Sequence, residues 1–341
     1  MKRKQMRRVA ALLAALALLP GCGGRGSLSL KEFAPAPEQR LTVCTSHKEA
    51  VYGPIITEFQ ERTGIWVEVV AGGTEELLER ISDQRDTPLY DVMFGGGVES
   101  LRSYADCFEP WAGSETEQIR PGLRQEDDVC TPFSALPIVL IYNTRLVQPG
   151  ELTGWADLLL PRWKGSIAFA DPAVSGSSYT AVMTMMTALG GEETELLRRF
   201  YQNLDGTVLP DSGDVPSAVS AGTMAVGITL EETAVKCIAQ GYHIGIVYPE
   251  EGTSNLPDGT ALIAGAPHRD NAIAFLEFVQ SADVQQRVVS DFARRSVRLD
   301  IDDRRELPPV EALHTLDYDV AAASAHKTEF LRLWAALREG A

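Results

Sequence analysis

The chain has 341 residues, with 31 Lys and Arg against 47 Asp and Glu, for a formal net charge of −16. So acidic a surface repels phosphate backbones and argues against nucleic acid as a partner. The five cysteines show no CxxC or Cys/His spacing, which leaves no metal signature and no sign of a bound cofactor.

The start of the chain is distinctive. Lys2, Arg3, Lys4, Arg7 and Arg8 precede an unbroken apolar run over residues 9–19, too short to span a bilayer as a stable helix. Leu19-Pro20-Gly21-Cys22 follows and resembles a bacterial lipobox, with Pro20 departing from the small or hydroxyl residue usual there. The expectation is a signal peptide over residues 1–21, a lipid on Cys22, and a flexible Gly-, Ser- and Pro-rich tether over residues 22–39. Lys2, Arg3, Lys4, Arg7 and Arg8 are the only charges among the first 21 residues, so cleavage would take −16 to −21. Outside the cytoplasm a disulfide is permitted. Cys107 and Cys130 flank an acidic, loop-like stretch and form the candidate pair. Cys44 and Cys237 read as a strand and a helix residue that act as small hydrophobes.

About 300 residues remain, too many for one typical core, so two domains are expected. Strand and helix signals alternate. Residues 41–44 read as a strand. Residues 49–62 read as a helix with Val51, Ile55, Ile56 and Phe59 on one face. Residues 65–70 alternate as a strand. Thr74 is placed to cap a helix whose inner face is Leu77, Leu78 and Ile81, and residues 89–94 form a strand ended by three glycines. This βαβαβ order implies a parallel sheet. A second series follows: strands at 138–142, 166–170, 225–229, 244–248 and 261–264, with helices at 179–189, 231–240 and 271–279. Val182, Met183, Met186 and Leu189 recur at helical spacing and read as core packing.

Ligands of parallel sheets bind beyond the carboxyl ends of strands, where helix N-termini point amide N–H groups outward. The loops at those ends are Thr45-Ser46-His47, Ala71-Gly72-Gly73-Thr74, Gly95-Gly96-Gly97, Ser175-Gly176-Ser177-Ser178, Asp211-Ser212-Gly213-Asp214 and Leu230-Glu231-Glu232-Thr233. Nearly all are small and polar, which suggests a cleft lined by short hydroxyls and free amides. The Walker loop, the dinucleotide fingerprint and HExxH are absent, and Ser-Gly-Ser-Ser lacks the pattern of a nucleophile elbow. A secreted hydrolase using His47 and a serine is therefore the weaker class of reading. Glu231 and Glu232 fit either a helix dipole or a ligand-facing carboxylate pair.

Five stretches carry a family resemblance: "LTVCTSHKEAVYGPIITEFQERTGI", "YDVMFGGGVESL", "WADLLLPRWKGSIAFADPAVSGSSYT", "AVGITLEETA" and "APHRDNAIAFLEFVQSADVQQ". They resemble extracellular solute-binding proteins of ABC importers, in the ferric-ion-binding-like cluster of the type II periplasmic fold. That cluster also includes binders of hexose phosphates, aminoethylphosphonate and thiamine. The resemblance implies an α/β fold of two lobes, each a mainly parallel sheet flanked by helices, with hinge strands between them. The lobes would comprise residues 40–137 plus 252–300, and 138–251 plus 301–341. It implies a monomer that is not an enzyme, held outside the cytoplasm on the bacterial membrane by its lipid, passing a small solute to a membrane permease.

Ferric-binding members use a His after the first strand, an acid after the third and a late Tyr-Tyr pair. Here those places fall on His47, near Gly96, and on Glu231-Glu232, so phenolate ligation is missing and no metal ligand is assigned. The resemblance implies an anion cradle at Ser175-Gly176-Ser177. The expected ligand site is Thr45, Ser46, His47, Gly72, Gly95, Gly96, Ser175, Gly176, Ser177, Ser178, Ser212, Thr229, Glu231 and Glu232, and the expected solute bears a phosphate or phosphonate. A ferric ion or chelate, or a cation such as thiamine or a polyamine held by Glu231 and Glu232, are the alternatives.

Overall fold

The computed structural model describes residues 35–340, apart from 126 and 303–305. The signal-like start, Cys22 and most of the tether lie outside the described residues. Among the described residues no helix is long and apolar enough to cross a membrane.

Strand β1 (Arg40–Thr45) pairs in parallel with β2 (Trp66–Ala71) and β3 (Val92–Gly97), in the spatial order β2-β1-β3. The βαβαβ reading thus holds. Its helices are α1 (Glu49–Thr63) and α2 (Thr74–Asp83). Val51, Ile55, Ile56 and Phe59 of α1 and Leu77, Leu78 and Ile81 of α2 are all buried, as their spacing predicts. Each such side chain contributes about 1.5–3 kcal/mol of burial. Two details differ. The N-cap of α2 is Gly73, with Thr74 the first helical residue. The third strand starts at Val92, three residues later than expected, and Leu89 is exposed.

Two long strands join the two halves. β9 (Asn255–Ile263) runs antiparallel to β3 and to the first part of β5 (Thr131–Asn143). β5 then changes partners. Up to Pro137 it pairs with β9; from Ile138 it pairs with β7 (Val226–Leu230) and, from Leu140, with β8 (Ile244–Val247). Two short strands, β4 (Phe108–Glu109) and β6 (Ile167–Ala168), extend the edges, and β10 (Arg295–Ser296) pairs with β5 at Ser134 and Ala135. The register matters, because it brings a late segment of the chain to the point where β5 crosses.

Each half has helices on both faces of its sheet. The first adds α3 (Val98–Ser103), α8 (Arg269–Gln280) and α9 (Ala282–Ser290). Phe59, Phe94, Phe133 and Phe275 share its largest apolar cluster. The second half adds α4 (Gly176–Leu189), α5 (Glu193–Leu204), α6 (Asp214–Ala221), α7 (Glu231–Ala239) and α10 (Val320–Glu339), around Trp155, Phe169, Tyr179, Phe200, Phe330 and Trp334. Sequence patterning assigned no element to α5, α6, α9 or α10, although Leu197, Phe200, Tyr201 and Leu204 of α5 do recur at helical spacing. On α4 the fully buried stripe is Tyr179, Val182 and Met185; Met183, Met186 and Leu189 are only half-buried against the same core.

Helix α10 also fastens the two halves together. Phe330 and Trp334 enter the second core, while Lys327 Nζ reaches the Glu75 carboxylate and donates to Ser100 Oγ (2.8 Å) in the first half. Cys107 and Cys130, the candidate disulfide, are instead both free and buried in one apolar cluster with Val129 and Ile263. Burial pushes the Cys130 thiol up to about 12, so it stays protonated and acts as a small hydrophobe.

Candidate functional site

A cavity of about 550 Å³ is lined by loops from both halves. From the first half come Ser46, His47 and Lys48 after β1, Ala71 to Thr74 after β2, and Gly96 and Gly97 at the end of β3. From the second come Val174 to Ser177 before α4, Pro210 to Ser212 before α6, and Leu230 before α7. Leu136 of β5, Asp258 of β9 and Arg294 beside β10 complete the wall. First-turn N–H groups of a helix lack an acceptor within it, and here helices α1, α2 and α4 start at the cavity.

Local sequence builds each of these turns. Gly95 and Gly96 take φ of 103° and 98°, a region that side chains rarely adopt. A Cβ on Gly95 would also lie 2.9 Å from Ser46 Oγ and 3.1 Å from His47 Nε2. The glycines therefore let β3 pass directly beneath the His47 ring. Ser175 is the N-cap of α4: its Oγ accepts from the Ser178 N–H at 3.3 Å and lies 3.1 Å from Ser177 Oγ. Asp211 accepts the Gly213 N–H at 2.6 Å, a bond that holds its carboxyl below the usual range. It also meets Lys48 Nζ at 3.4 Å in an exposed pair.

Of the expected site residues, Ser46, His47, Gly72, Gly96, Ser175, Gly176, Ser177 and Ser212 line the cavity together. Thr45, Gly95, Ser178 and Thr229 lie behind them. Thr45 is fully buried and its Oγ1 accepts the His47 N–H at 3.2 Å, so it shapes the turn. Glu231 and Glu232 are the first two residues of α7, as the helix-dipole reading has them, and neither is among the residues lining the cavity. Glu231 is 1% exposed and bidentate with Arg295, at 2.9 and 2.8 Å, and it accepts from Tyr248 OH at 2.7 Å. Glu232 meets Lys236 at 2.6 Å and Arg294 at 3.8 Å. Both carboxylates are committed to cations of the protein itself.

Arg294 and Asp258 escaped the sequence reading, which found no basic group in the rim loops except Lys48. Arg294 Nη1 donates to Asp258 Oδ2 (2.7 Å) and Ser134 Oγ (3.2 Å) and lies 3.4 Å from His47 Nδ1. A guanidinium only donates, so Nδ1 is the accepting nitrogen of His47 and the ring proton sits on Nε2. Burial, reinforced by Arg294, holds the imidazole well below its ordinary value, and His47 is neutral. Burial pushes the Asp258 carboxyl up, with Arg294 opposing. The signal available was Arg294-Arg295 standing between apolar Phe292 and Val297, but only the β10–β5 register puts Arg294 beside the rim.

The sequence pattern of the bacterial extracellular solute-binding protein family matches residues 41–292. The chain belongs to this family. It is an extracellular solute-binding protein, in a family of binding proteins, and its fold is the two-lobe type II periplasmic-binding-protein fold. Among its relatives, iron uptake protein A1 of Synechocystis sp. is 28% identical over 79% of this chain and 78% of that protein. A periplasmic protein of Salmonella typhimurium named for 2-aminoethylphosphonate is 22% identical, over 76% and 80%. Among solved structures, the fructose-6-phosphate-bound periplasmic binding protein AfuA from Actinobacillus pleuropneumoniae superposes with a TM-score of 0.81 at 20% identity, over 89% of this chain and 99% of that one. At that identity the superposition speaks for the fold. Among the described residues of this solute-binding protein, no group of three or more His, Cys, Asp and Glu side chains is arranged to hold a metal ion.

Proposed function

We propose that this solute-binding protein captures a small oxyanion-bearing solute, one carrying a phosphate or phosphonate group, between lobes comprising residues 40–137 plus 252–300 and 138–251 plus 301–341. The observation that carries the reading is Arg294 in the wall of a cavity ringed by helix N-termini. Ser175, Gly176 and Ser177 supply hydroxyl and amide donors at the start of α4. Ser46, Gly72, Gly96 and Ser212 add short polar walls. His47, neutral and held by Arg294 at Nδ1, adds its ring to the wall. The cationic alternative loses its anchor, because Glu231 and Glu232 answer to Arg295 and Lys236. The ferric alternative is weakened at the same place, where the family's tyrosine pair would fall.

The protein acts as a monomer, binds without turnover, and is held to the membrane by lipid on Cys22, with residues 22–39 as tether. Cys22→Ala should release it from the membrane fraction. The ligand test is calorimetric titration with fructose 6-phosphate, 2-aminoethylphosphonate, unphosphorylated fructose, ferric citrate, thiamine and spermidine. A phosphorylated or phosphonate solute should bind, and should stabilise the fold by about 2.7 kcal/mol at a hundredfold excess over Kd. Binding by spermidine or thiamine alone would overturn the reading.

A further inference from the structure

Where the two halves meet, a smaller cavity of about 60 Å³ adjoins the cleft. Gly97, Leu136, Ser177 and Leu230 line both spaces. Ile138, Leu256 and Pro257 add apolar wall, and the one charged group is Glu99, the second residue of α3. Glu99 is 1% exposed. Its Oε1 accepts from Thr180 Oγ1 of α4 and from Tyr318 OH, both at 2.9 Å. Its Oε2 accepts no hydrogen bond from the described residues, yet it is not among the side-chain atoms sealed from water. Oε2 lies against Gly97, where a Cβ would come within 3.0 Å of it. No Lys, Arg or His lines this cavity, and Lys327, which donates to the neighbouring Ser100, is paired with Glu75. A buried carboxylate with an open oxygen and no cation carries a desolvation cost that a donor from outside would offset.

We propose that Glu99 determines the specificity of the cleft, selecting a solute whose oxyanion is joined by a short alkyl chain to a primary ammonium: an aminoalkyl phosphonate or phosphate. This rests on the oxyanion reading of the cleft and adds the solute's second charge. Ser177, at the start of α4, lines both spaces, and Thr180 stands about 4.5 Å further along the same helix. An oxyanion held at the start of α4 is therefore within a short chain's reach of Glu99. The small cavity exceeds the roughly 10–15 Å³ that one water needs and suits an aminomethyl end, with apolar side chains against the methylene and Oε2 for the ammonium. A hexose phosphate presents no cation to this carboxylate, and a second anionic group would be repelled by it. Arg294 for the oxyanion and Glu99 for the ammonium together make the charge pattern of a zwitterion's site.

The probes are 2-aminoethylphosphonate and ethylphosphonate, which differ only in the amine, titrated calorimetrically into the full chain. The aminated solute should bind about ten- to a hundredfold more tightly, the worth of one hydrogen bond to a charged group. Glu99→Gln keeps the side-chain size and the acceptor for Thr180 and Tyr318 but removes the charge. It should erase most of that preference, weakening the aminated solute far more than its parent. A residue that only braces the two halves would instead lower the melting temperature and shift both solutes alike. Gly97→Ala, at φ −64° and so free of backbone strain, sets a methyl against Oε2 and should also narrow the preference, which serves if the Glu99 variant does not fold. Equal affinity of the wild type for the two solutes overturns the proposal and leaves the oxyanion reading standing, as does a preference that survives both variants. Binding of neither solute overturns both.

Discussion

Arg294 and Arg295 are neighbours in the chain, yet they serve different ends. Arg295 is fully buried, bidentate with Glu231, and donates further to the Pro308 carbonyl at 2.8 Å. Arg294 points the other way, to Asp258, Ser134 and the wall of the cleft. Side chains alternate along an extended strand, so adjacent residues there face opposite sides of the sheet. One cation thereby becomes structural and the next lines the cleft. Two identical residue types side by side carry no functional label until the strand pairing is known.

The largest effect expected from this contrast is on stability. Glu231→Ala leaves the Arg295 guanidinium buried without its carboxylate, which costs about 3–5 kcal/mol. Urea unfolding should show that loss, and the variant, once folded, should bind solute with near-normal affinity. A large affinity loss with normal stability would mean that Glu231 faces the ligand after all. Arg294→Met strips the buried Asp258 of its cation and should also cost stability, but unlike Glu231→Ala it should weaken binding as well. Losing charge-assisted hydrogen bonds to an oxyanion, worth about 1.5–3 kcal/mol, should weaken binding by roughly ten- to a hundredfold in calorimetry.

Ser177→Ala removes one hydroxyl from the start of α4 and should weaken the solute about tenfold, leaving the melting temperature nearly unchanged. Ser175→Asp should weaken it more, by placing a negative charge against the oxyanion. Ser175 also caps α4, so Ser175→Ala should lower stability by about 1 kcal/mol.

His47 sharpens the comparison through pH. Its folded pKa lies below the ordinary 6.5, so below that value the unfolded chain takes up a proton that the folded chain refuses. Stability from this group is therefore present above pH 6.5 and is lost as pH falls, by up to about 1.4 kcal/mol per pH unit. Asp258 works in the opposite sense: its pKa is raised, so its contribution is present at low pH and is lost as pH rises through the folded value. Melting curves between pH 7.5 and 5.5 should fall less steeply for His47→Gln than for the wild type; equal slopes would refute a neutral buried imidazole. The smallest effect belongs to Lys48→Ala. Its pair with Asp211 is exposed, and its loss should change stability by about 0.5 kcal/mol or less.

The legible part of the fold was the part with strong periodicity. The buried faces of α1 and α2 and the parallel order of β1, β2 and β3 followed from spacing alone, because a helix or strand buries a fixed side at a fixed period. The rim loops were legible for a related reason: a small polar loop between a strand end and a helix start has one place to be in a parallel sheet. Eight of the expected residues accordingly meet at one cavity. Helices α5, α6, α9 and α10 were passed over, and α10 makes contacts far from its own place in the chain, with Lys327 reaching Glu75 and Ser100.

The charges followed no such rule. Sequence spacing could place Glu231 and Glu232 at a helix start beside the cleft, but not say which cations would claim them. That depended on β10 returning to pair with β5 at Ser134 and Ala135, bringing Arg294 and Arg295 to a point far from their own stretch of chain. Local pattern determined the strongly periodic elements and the rim loops, since these rest on interactions within a turn or a strand and its loop. Tertiary structure alone decided which partner neutralises each buried charge and which of these pairs stands in the cavity wall, because a buried charge is settled by whatever partner the long-range pairing delivers to it.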